Sequence, residues 1–196
     1  MNGLRPAIFL DKDGTVLEDV PFNADPARMR WAPTVPAALD MLGALATPLF
    51  VVTNQPGIAR GLLRDADMDA IARELRVRFA SCGAPLTGYY YCPHDAPARE
   101  GDRGCACRKP GAGMLVRAAA DHGIALASSW MVGDILDDVE AGRRAGCRTI
   151  LVDNGNETQW RLSPDRIPHA RVATLEAAAR VIVSACRAGG SARRTA

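Results

Sequence analysis

The ten residues AIFLDKDGTV, positions 7–16, decide the fold. Four uncharged residues, Ala7 to Leu10, break into an Asp-Lys-Asp-Gly-Thr cluster. A short apolar run stopped by turn residues reads as a fully buried strand. Asp11 then stands at the carboxyl end of that strand and Asp13 two residues on, with Gly14 permitting the sharp turn. Open α/β sheets bind ligands outside the carboxyl ends of their strands. Two carboxylates crowded there repel each other unless a cation lies between them. Mg2+ takes oxygen ligands of this kind, together with phosphate oxygens and water. Asp and Gly are also ordinary turn residues, so a plain strand-to-loop turn stays open on these ten residues alone.

Outward from this stretch the pattern recurs. Glu18 to Trp31 is Pro-rich and aperiodic and reads as a loop over the strand's carboxyl end. Pro36 to Ala46 carries Ala38, Leu39, Leu42 and Leu45 at helical spacing. Pro48 to Val52 is a second strand and runs into Thr53-Asn54-Gln55-Pro56-Gly57. Asp65 is expected to cap a helix to Cys82, with Met68, Ile71, Leu75 and Phe79 on one face. Gly88 to Tyr91 reads as a short strand. Gly111 to His122 is helical, with Gly123 placed to end it. Trp130 to Val132 is a third buried strand, ending in Gly133-Asp134 ahead of a helix that Gly146 closes. Thr149 to Val152 is a strand, Ala170 to Ala173 an edge strand, and Thr174 caps a last helix with Leu175, Ala178, Ile182 and Ala185 inward.

Strands alternating with helices predict a three-layer, Rossmann-like parallel sheet with helices on both faces. Such a sheet gathers Asp11/Asp13, Thr53/Asn54 and Asp134 on one rim. A single domain over 1–186 is expected, with no large cap, one metal loop at 92–107, and a disordered tail at 187–196.

Composition narrows the function. With 196 residues, 48% apolar, the chain can bury a real core, and its net charge of +2 gives no reason to expect nucleic acid or a membrane surface as partner. No apolar run approaches the roughly 20 residues that span a bilayer, and no signal-peptide pattern precedes Asp11, so a cytoplasmic location is expected. Six cysteines then read as thiols or metal ligands. Cys92-Pro93-His94 and Cys105-Ala106-Cys107 supply three thiols and one imidazole, a set suited to closed tetrahedral zinc, although the spacings are tighter than in ordinary fingers. A redox pair at Cys105 and Cys107 is the alternative. Cys82, Cys147 and Cys186, like Trp31, Trp130 and Trp160, read as packing residues, and His122 and His169 have no partner in the sequence.

The ordered set DKDGT, VVTN, RKP and GDILDD resembles the haloacid dehalogenase superfamily of phosphohydrolases. NQPGIARG (Asn54 to Gly61), YYYCPH and CACRKP make the chain similar to the D-glycero-D-manno-heptose 1,7-bisphosphate phosphatases, with histidinol-phosphate phosphatases as near relatives. The resemblance implies Asp11 as nucleophile forming an aspartyl-phosphate and Asp13 as general acid and base. It implies Mg2+ on Asp11, the Asp13 backbone carbonyl and Asp134, and structural Zn2+ on Cys92, His94, Cys105 and Cys107. Thr53 and Lys109 would take the remaining phosphoryl oxygens, although alone they read as a strand-end residue and a solvated cation. Arg108, Asn54, Gln55, Asp19 and Phe22 would contact substrate. Asp138 fits either an outer position behind the metal or a carboxylate at a helix N-terminus.

The expected partner is a small phosphorylated sugar, acted on by a monomer. The implied reaction is loss of the C7 phosphate, on the way to nucleotide-activated heptose for the lipopolysaccharide core. Histidinol phosphate or another small phosphomonoester is the alternative substrate, and a phosphomutase or a non-catalytic zinc-stabilised binding protein is the alternative function. Two departures bear on the sugar end. Ile135 stands where relatives carry a basic residue, and Asp19-Val20-Pro21-Phe22 differs from their sugar-contacting loop; Arg28, Arg30 or Arg60 are the substitutes available.

Overall fold

A computed structural model describes residues 3–97 and 104–192, with side chains to 188. Positions 98–103 of the expected metal loop and 193–196 of the expected tail lie outside the described residues. Six strands make one parallel sheet in the order β3-β2-β1-β4-β5-β6. They are β1 (Ile8–Leu10), β2 (Leu49–Asn54), β3 (Leu86–Cys92), β4 (Trp130–Gly133), β5 (Arg148–Val152) and β6 (Ala170–Val172). The order reverses between β1 and β4, and at such a switch point the flanking connections leave a crevice at the strands' carboxyl ends.

The two faces follow from the alternation of side chains along each strand. Ile8, Leu10, Val51, Val132 and Ile150 face one layer, which includes Leu39 and Leu42 of α1 (Val35–Gly43), Met68, Leu75 and Phe79 of α2 (Asp65–Ser81), and Ala178 and Ile182 of α5 (Leu175–Ala192). Phe9, Phe50, Val52 and Met131 face the other, against Met114, Leu115 and Ala118 of α3 (Gly113–His122) and Ala141 of α4 (Leu136–Arg144). Phe9 and Phe50 stack across neighbouring strands at 5.2 Å between centroids. The three-layer arrangement is the one expected.

Some local expectations need correction. Helix α2 is capped by Asp67, whose carboxylate accepts from the Arg64 N–H at 2.8 Å; Asp65 instead accepts from the Tyr91 hydroxyl. The Pro-rich 18–31 segment contains a 3-10 turn at Pro26–Arg28, started by Asp25 accepting from the Ala27 N–H. Helix α5 continues to Ala192, through six residues expected in the tail. Cys186, expected to pack, is exposed on this helix. Trp160 is 43% exposed, under the Arg171 guanidinium at 4.5 Å. Thr174 does cap α5, accepting from the Ala177 N–H.

Candidate active site

Strand β1 delivers Asp11 to the crevice, and the chain then turns back at once. The Lys12 carbonyl accepts from both Val16 and Leu17, and Gly14 takes φ +82°. That glycine is required, because a Cβ there would overlap the Asp134 carboxylate and the Asn156 amide. Asp134 follows β4, and Asp138 lies one turn into α4, where it accepts from the Ile135 N–H at 3.3 Å. Ile135 has no side-chain acceptor, so Asp138 supplies the helix's N-terminal partner.

Oxygens of Asp11, Asp134 and Asp138 all lie within 4.8 Å of one another. Lys109 reaches between two of them: its ammonium pairs with Asp11 and, at 2.6 Å, with Asp138, and also donates to the Val52 carbonyl at 3.2 Å. Its backbone is fixed by Asn54, whose amide donates to the Lys109 carbonyl (3.1 Å) while its oxygen accepts the Lys109 N–H (3.0 Å). Asp138 is therefore both helix cap and counter-ion.

Burial governs the charges here. It drives the Asp11 carboxyl well above its ordinary range; Lys109 opposes this, while Asp138 and Asp134 add to it. Asp134 is raised to about 6, first by burial and then by Asp138, against hydrogen bonds from Asn156 and Thr15. Burial would lower Lys109, but Asp11 and Asp138 outweigh it and hold the ammonium protonated. Fully ionised, the three carboxylates would exceed the one ammonium by two negative charges, an excess that burial opposes in a pocket of hard oxygen donors. A divalent oxygen-seeking cation such as Mg2+ fits that set in charge and chemistry.

Asp13 stands apart from the three carboxylates. Gln55 Nε2 donates to its Oδ2 at 2.8 Å and to Thr53 Oγ1 at 2.9 Å, and Lys12 Nζ lies 3.2 Å from its Oδ1. Thr53, buried at the end of β2, thus shares one amide with Asp13. In front of them opens a cavity of about 180 Å³ lined by Lys12, Asp13, Asp19, Phe22, Asn54 and Gln55. Burial raises the Asp19 carboxyl, and Asp13 adds to it. Of the arginines offered for the sugar end, Arg30 donates to the Ala27 and Met29 carbonyls and Arg60 forks onto Asp95. Arg108 directly follows Cys107 and donates to the His94 carbonyl at 3.1 Å.

The cysteine set converges. Cys92, Cys105 and Cys107 sulfurs stand 3.2–3.4 Å apart, with His94 Nδ1 at 3.5 Å from Cys92 and 3.3 Å from Cys107. Three sulfurs and one imidazole nitrogen closed on one point could hold zinc tetrahedrally with no open position.

The sequence reading missed four residues on the loop side of this crevice. Thr15 donates to Asp134 Oδ1 at 2.9 Å. Asn156 donates to Asp134 Oδ2 at 2.7 Å, Asn154 to the Gly14 carbonyl at 2.7 Å, and Glu157 accepts from the Leu136 N–H at 2.7 Å. The signal was available, for Asp153-Asn-Gly-Asn-Glu157 is a polar cluster directly after β5, like those after β1, β2 and β4.

The chain is similar in sequence and fold to known proteins. The HAD-hydrolase-like family model matches residues 106–178. The D-glycero-beta-D-manno-heptose-1,7-bisphosphate 7-phosphatase of Escherichia coli K12 is 38% identical over 153 residues, 76% of this chain and 80% of its own. That of Rhodopseudomonas palustris is 35% identical over 144 residues, 72% of this chain and 80% of its own. A crystal structure of D,D-heptose 1,7-bisphosphate phosphatase from B. bronchiseptica, complexed with magnesium and phosphate, superposes with a TM-score of 0.78 at 32% identity, covering 91% of this chain and 98% of that one. With its carboxylates gathered at the switch point of a parallel sheet, its Cys3His cluster, and relatives alike over most of their length, the chain belongs to the heptose-1,7-bisphosphate 7-phosphatase family of haloacid-dehalogenase-like hydrolases.

Proposed function

We propose that this protein hydrolyses the C7 phosphate of D-glycero-D-manno-heptose 1,7-bisphosphate through a phosphorylated Asp11. The observation that carries the reading is the buried Asp11–Lys109–Asp138 arrangement, with Asp134 beside it and Asp13 held separately over the cavity. An Asp11 oxygen attacks phosphorus as the bond to the C7 oxygen breaks. Lys109 and the Thr53 hydroxyl, whose oxygen already accepts from Gln55, stabilise the charge that spreads over the phosphoryl oxygens. Asp13, steered by Gln55, gives its proton to the leaving oxygen and later takes one from the water that splits the aspartyl-phosphate. Asp11, Asp134 and the Asp13 carbonyl would hold Mg2+, which neutralises phosphoryl charge when bound. Cys92, His94, Cys105 and Cys107 would hold Zn2+, ordering the chain that leads into Arg108 and Lys109. The substrate is then a small phosphorylated sugar, and the chain acts as one domain and a monomer.

The test is a panel of phosphate-release assays with and without Mg2+. It compares both anomers of the heptose bisphosphate with histidinol phosphate and simple sugar phosphates. Mg2+-dependent release, fastest from a heptose bisphosphate and lost in Asp11→Asn, is expected. Equal release by wild type and Asp11→Asn would refute the mechanism, and a preference for histidinol phosphate would refute the substrate.

A further inference from the structure

Two separate walls of the site meet on one side chain. Arg60, in the loop between β2 and α2, donates Nε to Asp95 Oδ2 at 2.6 Å and a terminal nitrogen to Oδ1 at 2.7 Å. Asp95 directly follows the zinc-set residue His94. The same guanidinium lies 5.6 Å from the centroid of the Phe22 ring. Phe22 forms part of the cavity in front of Asp13 and holds φ +52°, a left-handed conformation that a bulky residue keeps only when its surroundings impose it. Those surroundings are Arg60 over the ring and Gly57 beneath its edge, where a Cβ would come within 2.8 Å of Phe22 Cδ1. The Ala59 N–H donates to the Pro93 carbonyl at 3.1 Å, a second tie between the Arg60 loop and the cysteine loop.

We infer that Arg60 is a positioning residue, a clasp between Asp95 and Phe22 through which the Cys3His loop sets the wall that receives the sugar. The inference rests on the phosphatase reading for its substrate, but the clasp itself does not. Arg60 is thus not a stand-in for the missing basic residue after Asp134, because its fork is already on Asp95.

The experiment uses the full-length, zinc-loaded protein and the variants Arg60→Ala, Arg60→Lys and Asp95→Asn. Losing a charge-assisted fork and a cation–π contact should raise KM for heptose 1,7-bisphosphate about tenfold in Arg60→Ala, with kcat within about twofold. Inhibition by inorganic phosphate should not change, since the phosphoryl end is untouched. Asp95→Asn should reproduce the KM effect, and Arg60→Lys should recover part of it. Zinc release to a chelator should be several-fold faster in Arg60→Ala and Asp95→Asn, a readout that needs no turnover. A KM effect in Arg60→Ala with none in Asp95→Asn would mean direct substrate contact and overturn the clasp, as would zinc release at the wild-type rate in both variants. Failure of the wild type to act on the sugar bisphosphate would count against the substrate, leaving the zinc-release arm to decide the clasp.

Discussion

Lys109 is the residue on which the site's charge balance turns. It is almost fully buried, and its partners Asp11 and Asp138 are buried with it. Removing one member of such a set leaves charge without a partner, which costs far more than the pair contributes. Lys109→Met should therefore lower stability by about 3 kcal/mol and reduce kcat by about a hundredfold or more, read by thermal melting and steady-state assay. His169 offers a pH test away from the site. Its Nδ1 accepts from the Thr149 N–H at 3.0 Å, and Arg143 lies against Nε2. Burial lowers its pKa below the ordinary 6.5, and Arg143 and Arg148 add to this. The unfolded chain then binds a proton near pH 6.5 that the folded chain refuses, so this contribution to stability is present above that pH and is lost as pH falls through it. His169→Gln should flatten that part of the melting-temperature profile between pH 7 and pH 5. These His169 contacts were not visible in the sequence, where His169 has no near neighbour and its partners come from β5 and α4.

At the scale of elements, the strands were legible because parallel sheets demand uninterrupted apolar runs, and Ile8–Leu10, Leu49–Val52 and Trp130–Val132 are such runs. The carboxyl-end clusters were legible for the same reason, since polar residues stop the runs where the rim begins. The Asp153–Glu157 loop escaped because the side chains it turns onto Asp134 and the Gly14 carbonyl are amides, and its distance from Asp11 in the sequence hides those contacts. Yet it closes over the site from the β5 side, with Asn156 on Asp134 and Asn154 on the Gly14 carbonyl. Hydrogen bonds to a metal-binding carboxylate fix its orientation, and losing one typically weakens the metal about tenfold or more. Asn156→Ala should raise the Mg2+ concentration for half-maximal activity by about that factor, with a matching loss in direct titration of the cation. The capping of α2 was misread for a related reason. Three aspartates, Asp65, Asp67 and Asp69, compete within one turn, and only the fold decides that Asp65 belongs to Tyr91.

Across the whole molecule, the reactive groups identified lie at the carboxyl ends of the strands. The opposite rim, with Thr47, Trp130 and Arg148 around a cavity of about 600 Å³, carries none of them. There the exposed Arg148 guanidinium sits 4.0 Å from the centroid of the buried Trp130 ring, a cation–π contact that covers the ring. Arg148→Ala should cost about 0.5–1 kcal/mol of stability while kcat and KM stay at wild-type values; a drop in kcat would mean the two rims are coupled. The sequence could foretell this division because β1, β2 and β4 run one way and each ends in a polar cluster. It could not foretell where α5 stops, because Gly189-Gly190, poor helix formers, read as a break although the helix continues through them to Ala192.

The amide that Asn154 presents to the Gly14 carbonyl has a glycine after it, at φ +97°, on an exposed bend. An asparagine followed by glycine is the pair most prone to slow deamidation, because the next backbone nitrogen can close on the side chain unhindered. The resulting carboxylate would turn a donor into an acceptor facing another acceptor, within the turn that follows Asp11. Stored protein should thus lose turnover before it loses its fold, ageing from the loop that the eye passes over in the sequence.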